Sequence, residues 1–564
     1  MGLKKTPRKY WPENFNAGNA NSVEKAFKDL LSQECSSYET YLDWIYKMDE
    51  LSAIIGEEGS WRYIKMTCQT DEKKYADAYQ FFSNHIQPIT MKAENELNKK
   101  LANSPYSKQL PPKEFEILLR NAQADMEIYN EENIPIYTEL ANLSQEYQTI
   151  CGAITFEFDG RKQTLMQMYK YFENTDRDLR EKVYFIIKDR GLEDQKKLDE
   201  IYDKMIQLRH QISQNAGFDN FRDYQFVARY RFDYSPDDCI TLHKSIEDLI
   251  LPILKNINDI RKKKLDVDTL KPWDQQVDIE NKPELKPFNK SADLVKGVIK
   301  IFTDLKPEFG EHLRFMQKNG LLDLESRQGK APGGYQSSLP ESGVPFIFMN
   351  AAGSHNDVTT LLHEGGHAIH SFAASKLPIR ATRHGGHEIA EVASMSMELL
   401  GIEGMKEFYN AEDAKRAAKR NYKRMLSGFP MIAQGDAFQH WIYENPNHTV
   451  EERAEYWTSL TDRFNTGIDL TDLEKYTSTS WHSILHFFQV PFYFIDYAIA
   501  SIGAMQVYYN YLQNPKQTIE DYYQGLHLGG TRSLPELYEG LNIKFDFSPE
   551  TIQPLVDMIN EKVL

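Results

Sequence analysis

A mainly α-helical fold is what this sequence predicts, on two observations. From Ser22 to about Lys108 the chain is charged, aromatic-rich and almost without glycine or proline, and its apolar residues recur at helical spacing, as in Ala26, Phe27, Leu30 and Leu31 and again at Tyr75, Tyr79 and Phe82. Strand signals, by contrast, are confined to short runs. Ile154-Thr-Phe-Glu-Phe is closed by Asp159-Gly160, which reads as a hairpin turn, and Val344-Pro-Phe-Ile-Phe-Met reads as a buried strand.

The other elements follow in order. Asn21 with Glu24 resembles a helix start, Pro111 and Pro112 punctuate, and a further helical stretch runs from about Glu114. After the hairpin, helices are expected from Asp176 to Asp189 and from Asp194 to about Asn215, where Gly217 breaks the run. Ser235 as N-cap, Pro236 at the first helical position and the acids Asp237 and Asp238 predict a helix that carries to the basic run Arg261-Lys-Lys-Lys-Leu. That basic run reads as a solvated helix end. Residues 270–290 are proline-rich and polar and read as a loop, and the character changes over residues 328–350, where Ala331-Pro-Gly-Gly-Tyr-Gln-Ser-Ser-Leu is turn-rich. Pro345 suggests that the Val344–Met349 strand lies at a sheet edge, where it could pair with a peptide backbone. Residues 1–185 are expected to form an N-terminal helical region and 186–564 a catalytic region.

Composition narrows the partners. The chain has 564 residues, enough to bury a large core, and its 66 basic against 83 acidic residues give a net charge of −17. Nucleic acid and anionic membrane are therefore not default partners. Cys35, Cys68, Cys151 and Cys239 lack paired spacing and read as ordinary reduced cysteines. The basic N-terminus is followed by no apolar run of the signal-peptide kind, and the Met1-Gly2…Thr6 match to an acylation pattern carries too little information to count. No run approaches the roughly 20 apolar residues that span a bilayer. A cytoplasmic protein, monomeric or homodimeric, is expected.

The chemistry concentrates in Leu361-Leu-His-Glu-Gly-Gly-His-Ala-Ile-His370. His363, Glu364 and His367 spell H-E-x-x-H. On a helix, residues four apart share a face, so both imidazoles can reach one metal ion, with Glu364 beside its open position. Two histidines and a carboxylate suit zinc. The third ligand is sought in His384-Gly-Gly-His-Glu-Ile-Ala-Glu-Val-Ala-Ser-Met-Ser-Met-Glu398, where Glu388, Glu391, Met395 and Glu398 share a helical face. One glutamate should ligate while others hold imidazole N–H groups, and spacing does not choose among them. His384 and His387 are weaker candidates because Gly385-Gly386 suggests a turn. His370 reads as an interior histidine.

His363-Glu364-Gly365-Gly366-His367 followed by Glu391 in Ile-Ala-Glu-Val-Ala-Ser resembles the thimet oligopeptidase and oligoendopeptidase F family of zinc peptidases, nearest its Pz-peptidase-like branch. Asn215-Ala-Gly-Phe-Asp-Asn-Phe-Arg-Asp-Tyr, Phe438-Gln-His-Trp-Ile-Tyr and Leu528-Gly-Gly-Thr-Arg-Ser-Leu extend the resemblance over roughly residues 110 to 564. It implies a large two-lobed helical zincin of the gluzincin type, with a small β-sheet next to the metal helix and a deep central channel. It implies one Zn2+ per chain, Glu391 as third ligand and Glu364 as general base. Gly365 departs from the bulkier residue of many relatives. Two adjacent helix glycines cost about 1 kcal/mol each against alanine, which points to a close approach there.

His486, Tyr493 and Tyr497 are spaced to share one face if they lie on a single helix, kinked by Pro491. Such a face could aim an imidazole and two phenols at a developing oxyanion. The resemblance implies that role for a histidine and tyrosines of this region. Phe487, Phe488, Phe492 and Phe494 read as core. The expected function is a zinc-dependent endopeptidase of short peptides. The alternatives are a carboxypeptidase or dipeptidyl carboxypeptidase of the same chemistry and a non-catalytic peptide-binding module. An aminopeptidase fits less well, because no G-x-M-E-N segment is present.

Overall fold

The structure, a computed structural model, describes residues 7–563. The leader and acylation readings on residues 1–6 lie outside the described residues.

The fold is mainly helical, as its spacing predicts. The first helix, Ala20–Ser32, begins slightly earlier than expected, because Asn19 rather than Asn21 caps it by accepting the Ser22 N–H. Ser235 and Asp238 form a reciprocal capping box, and the helix Pro236–Ser245 continues into Leu251–Leu265 through one wide turn, Ile246–Ile250. A second wide turn, Phe82–Ile86, stands before Pro88 as the first stands before Pro252. Proline lacks an N–H and crowds the carbonyl four residues back, and the wider turn relieves both.

Strands β1 (Thr155–Phe158) and β2 (Arg161–Thr164) form the expected hairpin, with Asp159 and Gly160 at positive φ. Three more strands, β3 (Leu322–Glu325), β4 (Tyr335–Leu339) and β5 (Val344–Ala351), form a sheet in the order β3-β5-β4. This corrects the edge-strand expectation: β5 is central, antiparallel to β4 and parallel to β3. Pro345 is tolerated because the parallel ladder begins only at Ile347, whose N–H reaches the Leu321 carbonyl. The missing N–H of Pro345 points to that same side, ahead of the pairing. The outer strand on the other side is β4.

A large apolar cluster runs through the body of the chain, and a separate one lies under residues 17–122 with Ile379. Between packed elements, some side chains touch solvent yet are hemmed in by protein. Glu94 and His387 are exposed, but loss of solvation pushes the Glu94 carboxyl up to about 7 and the His387 imidazole down to about 4.

Candidate metal centre

The helix His355–Ala374 starts at a pinned corner. The Asp357 carboxylate accepts N–H bonds from Ala352, Gly353 and Ser354 at 2.9, 2.7 and 2.7 Å, fixing the loop from β5 into the helix. Val358, Leu361 and Leu362 bury one face, and His363 and His367 project together from another, their rings 4.9 Å apart and nearly perpendicular. A second helix, His387–Leu400, lies against this one at Gly366. A Cβ there would come 2.6 Å from both the Ala393 carbonyl oxygen and the Ser394 Cα. At Gly365 it would meet the Phe302 ring at 2.5 Å. The glycine pair thus marks a close approach, to backbone on one side and to an aromatic ring on the other.

That approach brings Glu391 between the histidines. Its Oε2 is 3.3 Å from His363 Nε2 and its Oε1 is 3.7 Å from His367 Nε2. One donor atom from each residue can be chosen so that all lie within 4.8 Å of one another. Ser394 Oγ donates to Glu391 Oε2 at 3.0 Å and Tyr493 Oη to Oε1 at 2.6 Å. Burial would raise the Glu391 carboxyl, but His367, His363 and the Tyr493 hydroxyl together hold it well below the usual carboxylate range.

The other two glutamates separate in space. Glu398 Oε1 lies 2.7 Å from His363 Nδ1, and its other oxygen pairs with Arg424. Glu388 turns away, toward the Tyr234 hydroxyl and the Arg231 guanidinium. Met395 accepts a weak bond from Ser501 Oγ at 3.4 Å. His370 is buried one turn past His367, and the His387 ring lies tilted against that of Tyr493 at 4.8 Å; neither belongs to the three-residue group.

Glu364 is 5% exposed, and its Oε2 has no hydrogen-bond partner. Burial raises its carboxyl to about 7, against the pull of His363 and with help from Glu391 and Glu398. Two imidazoles and a carboxylate converging at these separations fit a zinc ion. The bare Glu364 oxygen beside them fits a group that handles a proton. A Cβ at Gly334 would lie 3.4 Å from Glu364 Oε1, so the chain entering β4 passes directly over this carboxylate.

His486, Tyr493 and Tyr497 do not share one helix, which corrects the sequence expectation. His486 lies on the short helix Leu485–Gln489, and Tyr493 immediately precedes the helix Phe494–Gln513 that carries Tyr497. Pro491 ends the first, and Phe492 adopts a positive φ of 62°. The Gln439 side chain accepts the Phe492 N–H at 2.7 Å, and Arg231 bonds the Phe492 carbonyl. The turn still gathers the three rings. His486 Nε2 and Tyr497 Oη are 3.0 Å apart, and the Tyr493 and Tyr497 rings are 5.2 Å apart.

Sequence reasoning missed Arg424, Ser394, Gln439 and Arg231, the supporting partners of this centre. Ser394 carried a local signal, three residues after Glu391. The others act across folds of the chain that no spacing reveals.

Fold and site together define a helical protein of the H-E-x-x-H type. The chain belongs to peptidase family M3, whose model matches residues 170–555, with the M3 N-terminal domain matching 13–129. It is 26% identical over 329 residues to oligopeptidase PepF of Bacillus subtilis, covering 56% of this chain and 46% of that protein. It is 24% identical over 424 residues to an oligoendopeptidase F homologue of Borreliella burgdorferi, covering 72% and 69% respectively. Thus the match to the Bacillus subtilis protein spans about half of its length. The solved structure of Pz peptidase A with an inhibitor superposes with a TM-score of 0.93 at 27% identity, covering 98% of this chain and 99% of that one. Family membership implies a metal cofactor, generally zinc.

Proposed function

We propose that this chain is a zinc-dependent oligopeptidase that cleaves internal bonds of short peptides. The observation that carries the reading is the convergence of His363, His367 and Glu391 beside the buried, unpartnered Glu364. Family membership and the likeness to oligoendopeptidase F and Pz peptidase support it.

His363, His367 and Glu391 would hold one Zn2+, which supplies Lewis-acid polarisation of the scissile carbonyl and activation of water. Glu398 fixes the His363 tautomer by taking the Nδ1 proton's hydrogen bond, which leaves Nε2 as the donor atom. Glu364, with a carboxyl near 7, can take up a proton at neutral pH and return it to the departing amine. Tyr497 is the better placed oxyanion donor, because the Tyr493 hydroxyl gives its one proton to Glu391, whereas Tyr497 Oη can accept from His486 Nε2 and keep its own proton for the oxyanion. Burial lowers His486 to about 4, so it serves Tyr497 as a neutral partner.

Peptide backbone can pair with the outer edge of β4, where the Gln336 N–H and C=O face away from β5. This replaces β5 as the docking strand. The same reading divides the chain into an N-terminal helical region, 1–185, and a catalytic region, 186–564, and the separate apolar cluster under residues 17–122 supports an N-terminal unit. The four cysteines are unpaired, which fits the reducing cytoplasm. No helix of the described residues is long and apolar enough to cross a membrane. Product analysis on a peptide blocked at both ends tests the endopeptidase assignment. Internal cleavage is expected, whereas activity confined to free-ended peptides would move the chain to the carboxypeptidase reading.

A further inference from the structure

Away from this centre, two other helices bring metal-ligating side chains together. Cys239 and His243 are four residues apart on Pro236–Ser245, and Asp436 and His440 are four apart on Ala411–Glu444. Each spacing puts its pair on one helical face, and the two faces meet. Cys239, His243, Asp436 and His440 are 1%, 2%, 0% and 5% exposed. A donor atom from each of Cys239, Asp436 and His440 lies within 4.8 Å of the other two.

The contacts inside this cluster are incomplete in a specific way. His440 Nε2 stands 3.2 Å from Asp436 Oδ2, yet neither nitrogen of His440 makes a hydrogen bond, and Asp436 Oδ1 makes none either. Buried polar atoms are nearly always satisfied, so a buried imidazole and carboxylate that approach without bonding call for a missing partner. With no N–H directed at the oxygen, an imidazole lone pair and a carboxylate oxygen this close repel each other unless a cation lies between them. Their separation is close to that of two ligand atoms on one tetrahedral zinc, whose bonds are about 2.0–2.2 Å. His243 Nε2 lies 2.9 Å from the same carboxylate oxygen and can hold it in place from behind.

We propose that Cys239, Asp436 and His440 bind a second metal ion of the zinc class, with His243 positioning Asp436. Thiolate, carboxylate and imidazole donors select zinc over calcium or magnesium. The nearby Arg231 directs Nη2 to Asp496 and Nε toward Glu388, while its Nη1 makes no hydrogen bond. Full burial keeps substrate away from this centre, so its role would be structural. Its place in the fold gives it something to brace. The His440 ring packs edge-on against Phe492 at 5.4 Å, and the neighbouring Gln439 holds the Phe492 N–H, at the turn that sets Tyr493.

Cobalt(II) distinguishes the two centres, because only this one contains a thiolate. The test uses full-length protein produced in cobalt-supplemented medium and purified without chelator. Two equivalents of cobalt are expected in the parent, with a near-ultraviolet thiolate-to-cobalt charge-transfer band. Cys239→Ala should fall to one equivalent and lose the band. His367→Ala should lose the other equivalent and keep the band, so failure of the peptidase reading and failure of this one are separable. Cys239→Ala needs no new packing volume, and its circular dichroism confirms a folded sample. One equivalent without the band in the parent, or a band that survives Cys239→Ala, overturns the proposal.

Discussion

Gly366 touches Ser394: a Cβ on the first would lie 2.6 Å from the Cα of the second, closer than real Cβ atoms come. The two helices that carry the candidate ligands are therefore held at a separation only glycine permits. Gly366→Ala gains about 1 kcal/mol of helix propensity but must push backbone apart, and overpacking costs about 1–3 kcal/mol or more. The clash wins, because backbone cannot swing aside. Thermal denaturation should show Gly366→Ala destabilised and its zinc content reduced. Gly365→Ala should cost less, since the atoms it meets belong to the Phe302 side chain. Equal stability of Gly366→Ala and parent would contradict this packing.

Glu398 and Glu388 lie on the same helix but face different partners. Glu398→Gln weakens the hold on His363 Nδ1, and such supporting contacts are typically worth about 10–100-fold in metal affinity. Glu388→Gln acts on the Arg231 and Tyr234 network instead, so its zinc affinity should stay within a few-fold of the parent, by that same principle. Competition titration with a chromogenic chelator measures both. The reverse order would exchange their roles.

The two tyrosines should differ in kinetics. Tyr497→Phe is expected to lower kcat by roughly 10²–10³-fold with little change in KM, as removal of an oxyanion donor does. Tyr493→Phe removes a bond to Glu391, so its main effect should be on zinc retention. A Tyr497→Phe enzyme with parental kcat at full zinc would remove Tyr497 from the chemistry.

Beside the three-stranded sheet, Lys330 is buried and donates to Asp323 Oδ1 at 2.8 Å and to the carbonyls of Asp323, Glu325 and Met349, and Arg327 also grips Asp323. Burial opposes ionisation of Asp323, but Arg327 and Lys330 hold its carboxyl well below the usual range. A carboxyl depressed on folding contributes stability that is full above its unfolded pKa and is lost as pH falls through the folded one. Asp323→Asn should cost about 3 kcal/mol in urea unfolding at neutral pH, because it leaves a buried ammonium poorly paired. That difference should shrink as pH falls below about 4, the ordinary aspartate value. A penalty constant between pH 7 and pH 3, values chosen to straddle that range of about 4, would rule out this linkage.

Where the sequence was legible, the reason was local. The H-E-x-x-H pair, the capping box at Ser235 and the Asp159-Gly160 hairpin are set by neighbours a few residues apart, and spacing reveals them. Where it misled, the deciding partner was distant. Pro345 looked like an edge residue because nothing in sequence shows that β3 pairs only from Ile347 onward. His486 and Tyr497 looked like one helical face, but Gln439 and Arg231 stabilise a turn at Phe492 that breaks it. Choosing Glu391 from the residues alone was out of reach for the same cause. Its carboxylate differs from those of Glu388 and Glu398 only in what packs opposite.

Glu364→Gln tests the central claim most directly. The substitution keeps the volume of the side chain and leaves His363, His367 and Glu391 untouched, while removing a carboxyl that burial has raised to about 7. General-base catalysis contributes about 10²–10⁴-fold, so peptide hydrolysis should fall at least that far at matched zinc content and nearly unchanged peptide affinity. Hydrolysis of the same peptide at the parental rate by the zinc-loaded variant would contradict the mechanism.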